Sequence, residues 1–91
     1  MSRRETEVQI QNVLGLHLRA AASFARLAEG YQSEIWMMRD DLQANGKSII
    51  SLVTLAAPKG TKVRVVAEGE DADDAVTALA GLIESKFGEA E

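Results

Sequence analysis

The sequence predicts an α+β domain of two layers, an antiparallel sheet with helices packed on one of its faces. Three observations lead there. Apolar residues alternate with polar ones over Thr6 to Asn12 and Thr61 to Glu68, the mark of half-buried strands. They recur at helical spacing after Leu18 and again after Asp71. Extended and helical stretches interleave with short connections, and that order favours an antiparallel sheet covered by helices. The 91 residues, 46% hydrophobic and 26% charged, match one globular domain spanning residues 1–91, without linker, repeat or low-complexity segment.

In the first strand, Thr6 to Asn12, Val8 and Ile10 share one face and Glu7, Gln9 and Gln11 the other. Val13-Leu14-Gly15-Leu16 forms a loop in which Gly15 is free to take unusual backbone angles. From Leu18 to Gly30 the period becomes helical, with Ala21, Phe24, Leu27, Ala28 and Tyr31 on one stripe and Gly30 as the stop. Ser33 to Arg39 is an apolar run suited to a strand buried on much of both faces, with Trp36, Met37 and Met38 as core or sheet-face residues. Asp40-Asp41 turns the chain, Leu42 to Ala44 pairs back briefly, and Asn45-Gly46 turns it again. Ile49 to Leu55 follows Ser48 and suits one or two helical turns, although its β-branched residues also suit a strand and periodicity does not separate the two. After the loop Ala56 to Gly60, the strand from Thr61 to Glu68 sets Val63 and Val65 opposite Lys62 and Arg64. Asp71 is placed to cap the last helix, and Asp73 and Asp74 complement its dipole. Ala72, Ala75, Val76, Leu79, Leu82, Ile83 and Phe87 form that helix's buried stripe.

Composition removes several classes of function. The net charge is -4, and acidic residues gather in the last third, so the basic stripe of a nucleic-acid binder is missing. Zero cysteines and one histidine leave no thiolate chemistry and no multi-histidine metal site, so neither metal nor cofactor is expected. A carboxylate pair in one helical turn, as at Asp71 to Asp74, makes a poor cation cage. No apolar stretch is long enough to span a membrane, and the first residues lack the apolar core of a signal peptide, so a cytoplasmic protein is expected.

The single histidine, His17, stands between a glycine-containing loop and the first residue of a predicted helix. A helix start offers unpaired N–H groups and partial positive charge, the combination that holds phosphate. Arg19 adds a planar cation suited to phosphate oxygens in the same first turn. A neutral imidazole nitrogen is a nucleophile, and the phosphoryl group it accepts stays labile because imidazole is a good leaving group. Taken alone, His17 also fits a polar cap and Arg19 a solvated helix-end charge.

The stretch Leu14-Gly15-Leu16-His17-Leu18-Arg19-Ala20-Ala21-Ala22 resembles the active-site signature of the HPr phosphocarriers of the bacterial phosphotransferase system and its nitrogen-related branch. Asn45-Gly46-Lys47-Ser48-Ile49-Ile50-Ser51-Leu52 resembles that family's regulatory-serine segment. The resemblance implies an open-faced sandwich, a four-stranded antiparallel sheet covered by three helices. It implies that phosphorylated enzyme I phosphorylates His17 on Nδ1, that Arg19 attends the phosphate, and that a IIA domain receives it. It further implies that an HPr kinase/phosphorylase modifies Ser48 in some bacteria. Leu18, Ala22, Ile49, Ile50 and Val53 match positions of an apolar docking surface, in a protein expected to act as a monomer. Ser48 also has a structural role open to it, as N-cap of the short helix.

Two departures from the family pattern stand out. Ala20 replaces the usual proline after the arginine, which restores a backbone donor in a turn where proline is tolerated. Leu18 replaces the common alanine and, if exposed, enlarges the docking patch. Both bear on partner choice and leave room for an accessory or nitrogen-branch carrier.

Two other function classes fit the sequence. A regulatory binding module would act through Ser48 and the docking surface, so that His17→Ala would keep its effect and Ser48→Ala would lose it. A ligand-sensing or RNA-binding domain shares the architecture. The acidic balance and the lack of paired strand aromatics for base stacking speak against RNA.

Overall fold

Strand β1 (Ser2–Gln9) opens the computed structural model, which describes residues 2–91. It is followed by α1 (Leu18–Glu29), β2 (Glu34–Arg39), β3 (Leu42–Asn45), α2 (Ile49–Val53), β4 (Lys62–Gly69) and α3 (Ala72–Glu84). The four strands pair antiparallel throughout, in the order β1-β4-β2-β3, and the three helices cover one face. This is the open-faced sandwich expected from the sequence.

The register explains the layering. Val8 pairs with Val63, and Met37 pairs with both Val65 and Ala44, so the small and branched apolar residues meet on the helix-covered face. All five are buried, and Phe24, Leu79, Ile83 and Leu52 close over them from the helices. Fully burying side chains of this size stabilises by roughly 1.5–3 kcal/mol each. The opposite face carries Glu5, Arg64 and Lys62, with Trp36, Met38 and Val66 as an apolar island. Trp36 and Met38 are half-buried there, whereas Met37 is fully buried in the core. The Glu5 contacts with Arg3 and Arg64, both 3.4 Å, are exposed pairs of small energetic weight.

Several boundaries differ from the sequence reading. β1 begins at Ser2, where charged Arg3, Arg4 and Glu5 conceal the alternation; pairing to β4 needs only their backbone groups. It ends at Gln9, although Ile10 still exchanges main-chain hydrogen bonds with Gly60 and Thr61. The ambiguous segment after Ser48 is a helix, because the Ser48 hydroxyl accepts from the Ser51 N–H at 3.2 Å and Leu52 drops into the core. Gly30 follows the last residue of α1 but keeps right-handed angles, so it ends the helix without the left-handed turn.

The end of the chain brings two corrections. Asp71 precedes α3 but makes no side-chain capping bond. Its carboxylate instead accepts from the N–H of Gln32 at 2.8 Å and of Ser33 at 3.0 Å, and from the Ser33 hydroxyl, tying the α1–β2 loop to the start of α3. Phe87 is buried but does not extend the helical stripe. The chain leaves α3 at Glu84 and passes Lys86 and Phe87 with φ of 62° and 56°, in the left-handed region that non-glycine residues seldom visit. Such residues cost on the order of 1–3 kcal/mol each and persist only where packing dictates them. Here the bend seats the Phe87 ring against the core and sends residues 89–91 back toward the loop before α1.

The Ser33 hydroxyl, followed by the Gln32 N–H, holds the Asp71 carboxyl below the usual aspartate range. A depressed carboxylate contributes stability at neutral pH that disappears as pH falls through its folded value. Asp71→Ala should therefore lower the thermal midpoint at pH 7, and the difference from the parent should shrink progressively as pH is lowered below about 4, the range in which a free aspartate takes up its proton. Thermal unfolding followed by circular dichroism across a pH series from 7 downward checks this.

Candidate functional site

The site is assembled from the loop before α1 and the folded-back C-terminal segment. Gly15 donates its N–H to the Asn12 carbonyl at 3.1 Å, and the Asn12 amide donates to the Gly15 carbonyl at 2.8 Å, closing a tight turn. Gly15 takes a φ of +69°, and a Cβ there would stand 2.6 Å from the Ala57 carbonyl oxygen and 2.9 Å from the Pro58 Cα. Only glycine fits both the angle and the space. Leu16 then donates its N–H to Ala57 at 2.9 Å and buries its side chain, which fixes the next residue at the mouth of α1.

That residue is His17. It is the N-cap of α1, with extended backbone angles, and its Nδ1 accepts the Arg19 main-chain N–H at 3.2 Å. A ring nitrogen that accepts carries no hydrogen, so the neutral ring is protonated at Nε2. Nε2–H donates to Glu89 Oε2 at 2.7 Å. The other carboxylate oxygen, Oε1, accepts from the Asn12 amide at 2.9 Å, so one buried asparagine secures both the loop turn and the histidine's partner. Asn12 is fully buried and its Oδ1 has no partner, a cost tolerated for the two bonds that its amide makes. The Val13 N–H donates to the Glu91 main-chain oxygen at 2.5 Å and tethers the end of the segment.

The His17 and Glu89 side chains are 27% and 20% exposed, so the ring can be reached but is not free to swing. Burial pushes the Glu89 carboxyl up, yet donation from Asn12 and His17 and the nearby Arg19 charge outweigh it and hold the carboxyl below the usual glutamate range. The pair thus has an ionised acceptor at neutral pH.

An open groove of about 800 Å³ runs over the ring, lined by Val13, Leu14, His17, Leu18, Arg19, Ala22, Glu89, Ala90 and Glu91. The structure thus brings His17, Arg19, Leu18 and Ala22 together. Leu18 is 67% exposed, so it does widen the apolar surface. Ala20, at the usual proline position, is fully buried. Ile49, Ile50 and Val53 are exposed on α2, which packs against α1, outside the groove lining. Ser48 caps α2. Sequence reasoning missed Asn12, Val13, Leu14 and Glu89. An asparagine three residues before a glycine signals a turn. Nothing in the sequence links Glu89 to a histidine 72 residues away. Among the described residues, no cluster of three or more His, Cys, Asp or Glu is placed to hold a metal ion, and no helix is long and apolar enough to cross a membrane.

Comparison with known proteins adds an independent line. Residues 4–85 match the family model PTS-HPr, described as the PTS HPr component phosphorylation site. The chain is 44% identical over 84 residues to a phosphocarrier protein HPr of Neisseria meningitidis, covering 92% of this chain and 94% of that one. It is 37% identical over 90 residues to a phosphocarrier protein NPr of Shewanella violacea, covering 99% of each. Among solved structures, HPr-C-His from Thermoanaerobacter tengcongensis superposes with a TM-score of 0.92 at 42% identity, covering 97% of this chain and 99% of that one.

The Asn12–Gly15 turn is expected to be intolerant of a side chain. Gly15→Ala should destabilise the protein by roughly 1–3 kcal/mol, measured as a loss in urea unfolding midpoint. Removal of the cap in Ser48→Ala should cost about 1 kcal/mol in the same assay.

Proposed function

The chain belongs to the HPr family of phosphocarriers, and on that premise we propose that it accepts a phosphoryl group on His17 Nδ1 from phosphorylated enzyme I and donates it to a IIA-type acceptor. The observation that carries this reading is the N-cap geometry. Nδ1 faces the opening of α1 with its lone pair held by a single 3.2 Å contact to the Arg19 N–H, at the long end of hydrogen bonding and readily exchanged. When Nδ1 takes phosphorus, that N–H is released to a phosphate oxygen, where the helix start stabilises negative charge. The exposed Arg19 side chain supplies a second, charge-assisted donor. Both interactions are moderate, which suits a carrier that must also give the group away.

Leu18, Ala22, Ile49, Ile50 and Val53 form the docking surface in this reading, joined by Val13 and Leu14, which are 56% and 71% exposed beside the histidine. The relay operates in the cytoplasm, and no metal or cofactor takes part in the carrier itself. Ser48 provides a second level of control through an HPr kinase/phosphorylase. Its hydroxyl lies at the start of α2 directly before exposed Ile49 and Ile50, so a phosphate there would put charge into an apolar contact.

Incubation with enzyme I, phosphoenolpyruvate and magnesium should produce an acid-labile, alkali-stable phosphate that is lost in His17→Ala. Arg19→Ala should keep the label and form it roughly 10–100-fold more slowly, the rate equivalent of one charge-assisted hydrogen bond. An unlabelled parent protein, or a His17→Ala variant that still labels, would refute the carrier reading. If His17→Ala retains full biological effect while Ser48→Ala loses it, the regulatory-module reading replaces it.

A further inference from the structure

We propose that Glu89 is a positioning residue for phosphoryl transfer, its carboxylate keeping the ring proton of His17 on Nε2 while Nδ1 gains and then loses the phosphoryl group. This rests on His17 Nδ1 being the acceptor and goes beyond it by giving the opposite nitrogen a partner with a role. The geometry behind it is the chain Asn12 amide to Glu89 Oε1 at 2.9 Å and Glu89 Oε2 to His17 Nε2 at 2.7 Å. The carboxylate is not a stray surface group. The left-handed pair Lys86 and Phe87 turns the chain toward the loop, the buried Phe87 ring anchors it, and the Val13–Glu91 main-chain bond ties it down beyond Glu89. The buried asparagine that holds it leaves its own Oδ1 unpaired to do so.

The chemistry needs such a partner in both directions. As Nδ1 attacks phosphorus, its lone pair forms the N–P bond, and the donor's bond to phosphorus breaks with its electron pair returning to the donor. No proton leaves His17, so the ring becomes a phosphoimidazolium whose positive charge extends to Nε2–H, directly against the Glu89 carboxylate. In the outgoing step the N–P electron pair returns to Nδ1, and the departing ring is neutral imidazole still protonated on Nε2. A ring that lost the Nε2 proton while phosphorylated would have to leave as an imidazolate, a far poorer leaving group. Glu89 opposes that loss. The charged groups facing the ring are Glu89 and Glu91 from the C-terminal segment and Arg19 from α1, and the loop from Asn12 to Leu16 contributes none.

The test uses the full chain with Glu89→Ala, Glu89→Gln and Glu89→Asp. Each variant is phosphorylated with enzyme I and phosphoenolpyruvate, and hydrolysis of the phosphoprotein is followed from pH 5 to pH 10, with circular dichroism checking the fold. Glu89→Ala should accept the phosphoryl group about tenfold more slowly. The pH above which its phosphoprotein resists hydrolysis should fall by about one unit. Glu89→Gln, which can accept the bond without charge, should fall between, and Glu89→Asp should recover part of the loss. An unmoved hydrolysis profile in Glu89→Ala overturns the inference whether or not its transfer rate drops, because a rate loss alone means altered docking. Failure of the parent protein to be phosphorylated on His17 would overturn the carrier reading itself.

Discussion

The structure turns on one ring held at both of its nitrogens. His17 Nδ1 takes a main-chain N–H from the first turn of α1, and Nε2 gives its proton to Glu89. Those two contacts define the tautomer, orient the ring edge-on to the helix opening, and leave Nδ1, the proposed phosphoryl acceptor, in the shallower of the two holds. An imidazole satisfied at a single nitrogen could rotate about its side-chain bonds, and the helix opening would then aim at nothing in particular.

Everything around the ring serves to keep those two partners in place. The first is secured locally, since an N-cap and the amide two residues on are parts of the same turn. The second is secured at long range. Asp71 ties the α1–β2 loop to the head of α3, the register of β1 against β4 sets where the loop before α1 begins, and the break after α3 returns residues 89–91 to that loop. The two left-handed residues in that break are local conflicts between conformation and residue type, and they lie on the path to the site, where such strain tends to concentrate.

The apolar surroundings divide into two patches of different kind. Val13, Leu14 and Leu18 stand exposed in the groove that holds the histidine. Trp36, Met38 and Val66 lie on the open face of the sheet among charged neighbours, as an island packed by its own cross-strand partners. The first patch adjoins the proposed phosphoryl acceptor and the second does not, which is why a docking role is proposed for only one of them.

The sequence by itself determined the architecture and the address of the histidine. Alternation and helical period report which residues face a core, and that information is carried by near neighbours: Val8 with Ile10, Val63 with Val65, Phe24 with Ala28. The loop-to-helix junction at His17 and the cap at Ser48 were legible for the same reason, because capping acts over three residues. Where charged residues masked the alternation, at Arg3 to Glu5, the start of β1 was misplaced, since backbone pairing does not depend on side-chain polarity. Tertiary structure alone decided that Asp71 would serve a distant loop rather than its own helix, that Phe87 would lie past a bend, and that Glu89 would meet His17. Those choices follow from competition among partners that only packing brings within reach. A carboxylate takes the donors that folding leaves unpaired beside it, and no local pattern of residues records which those will be.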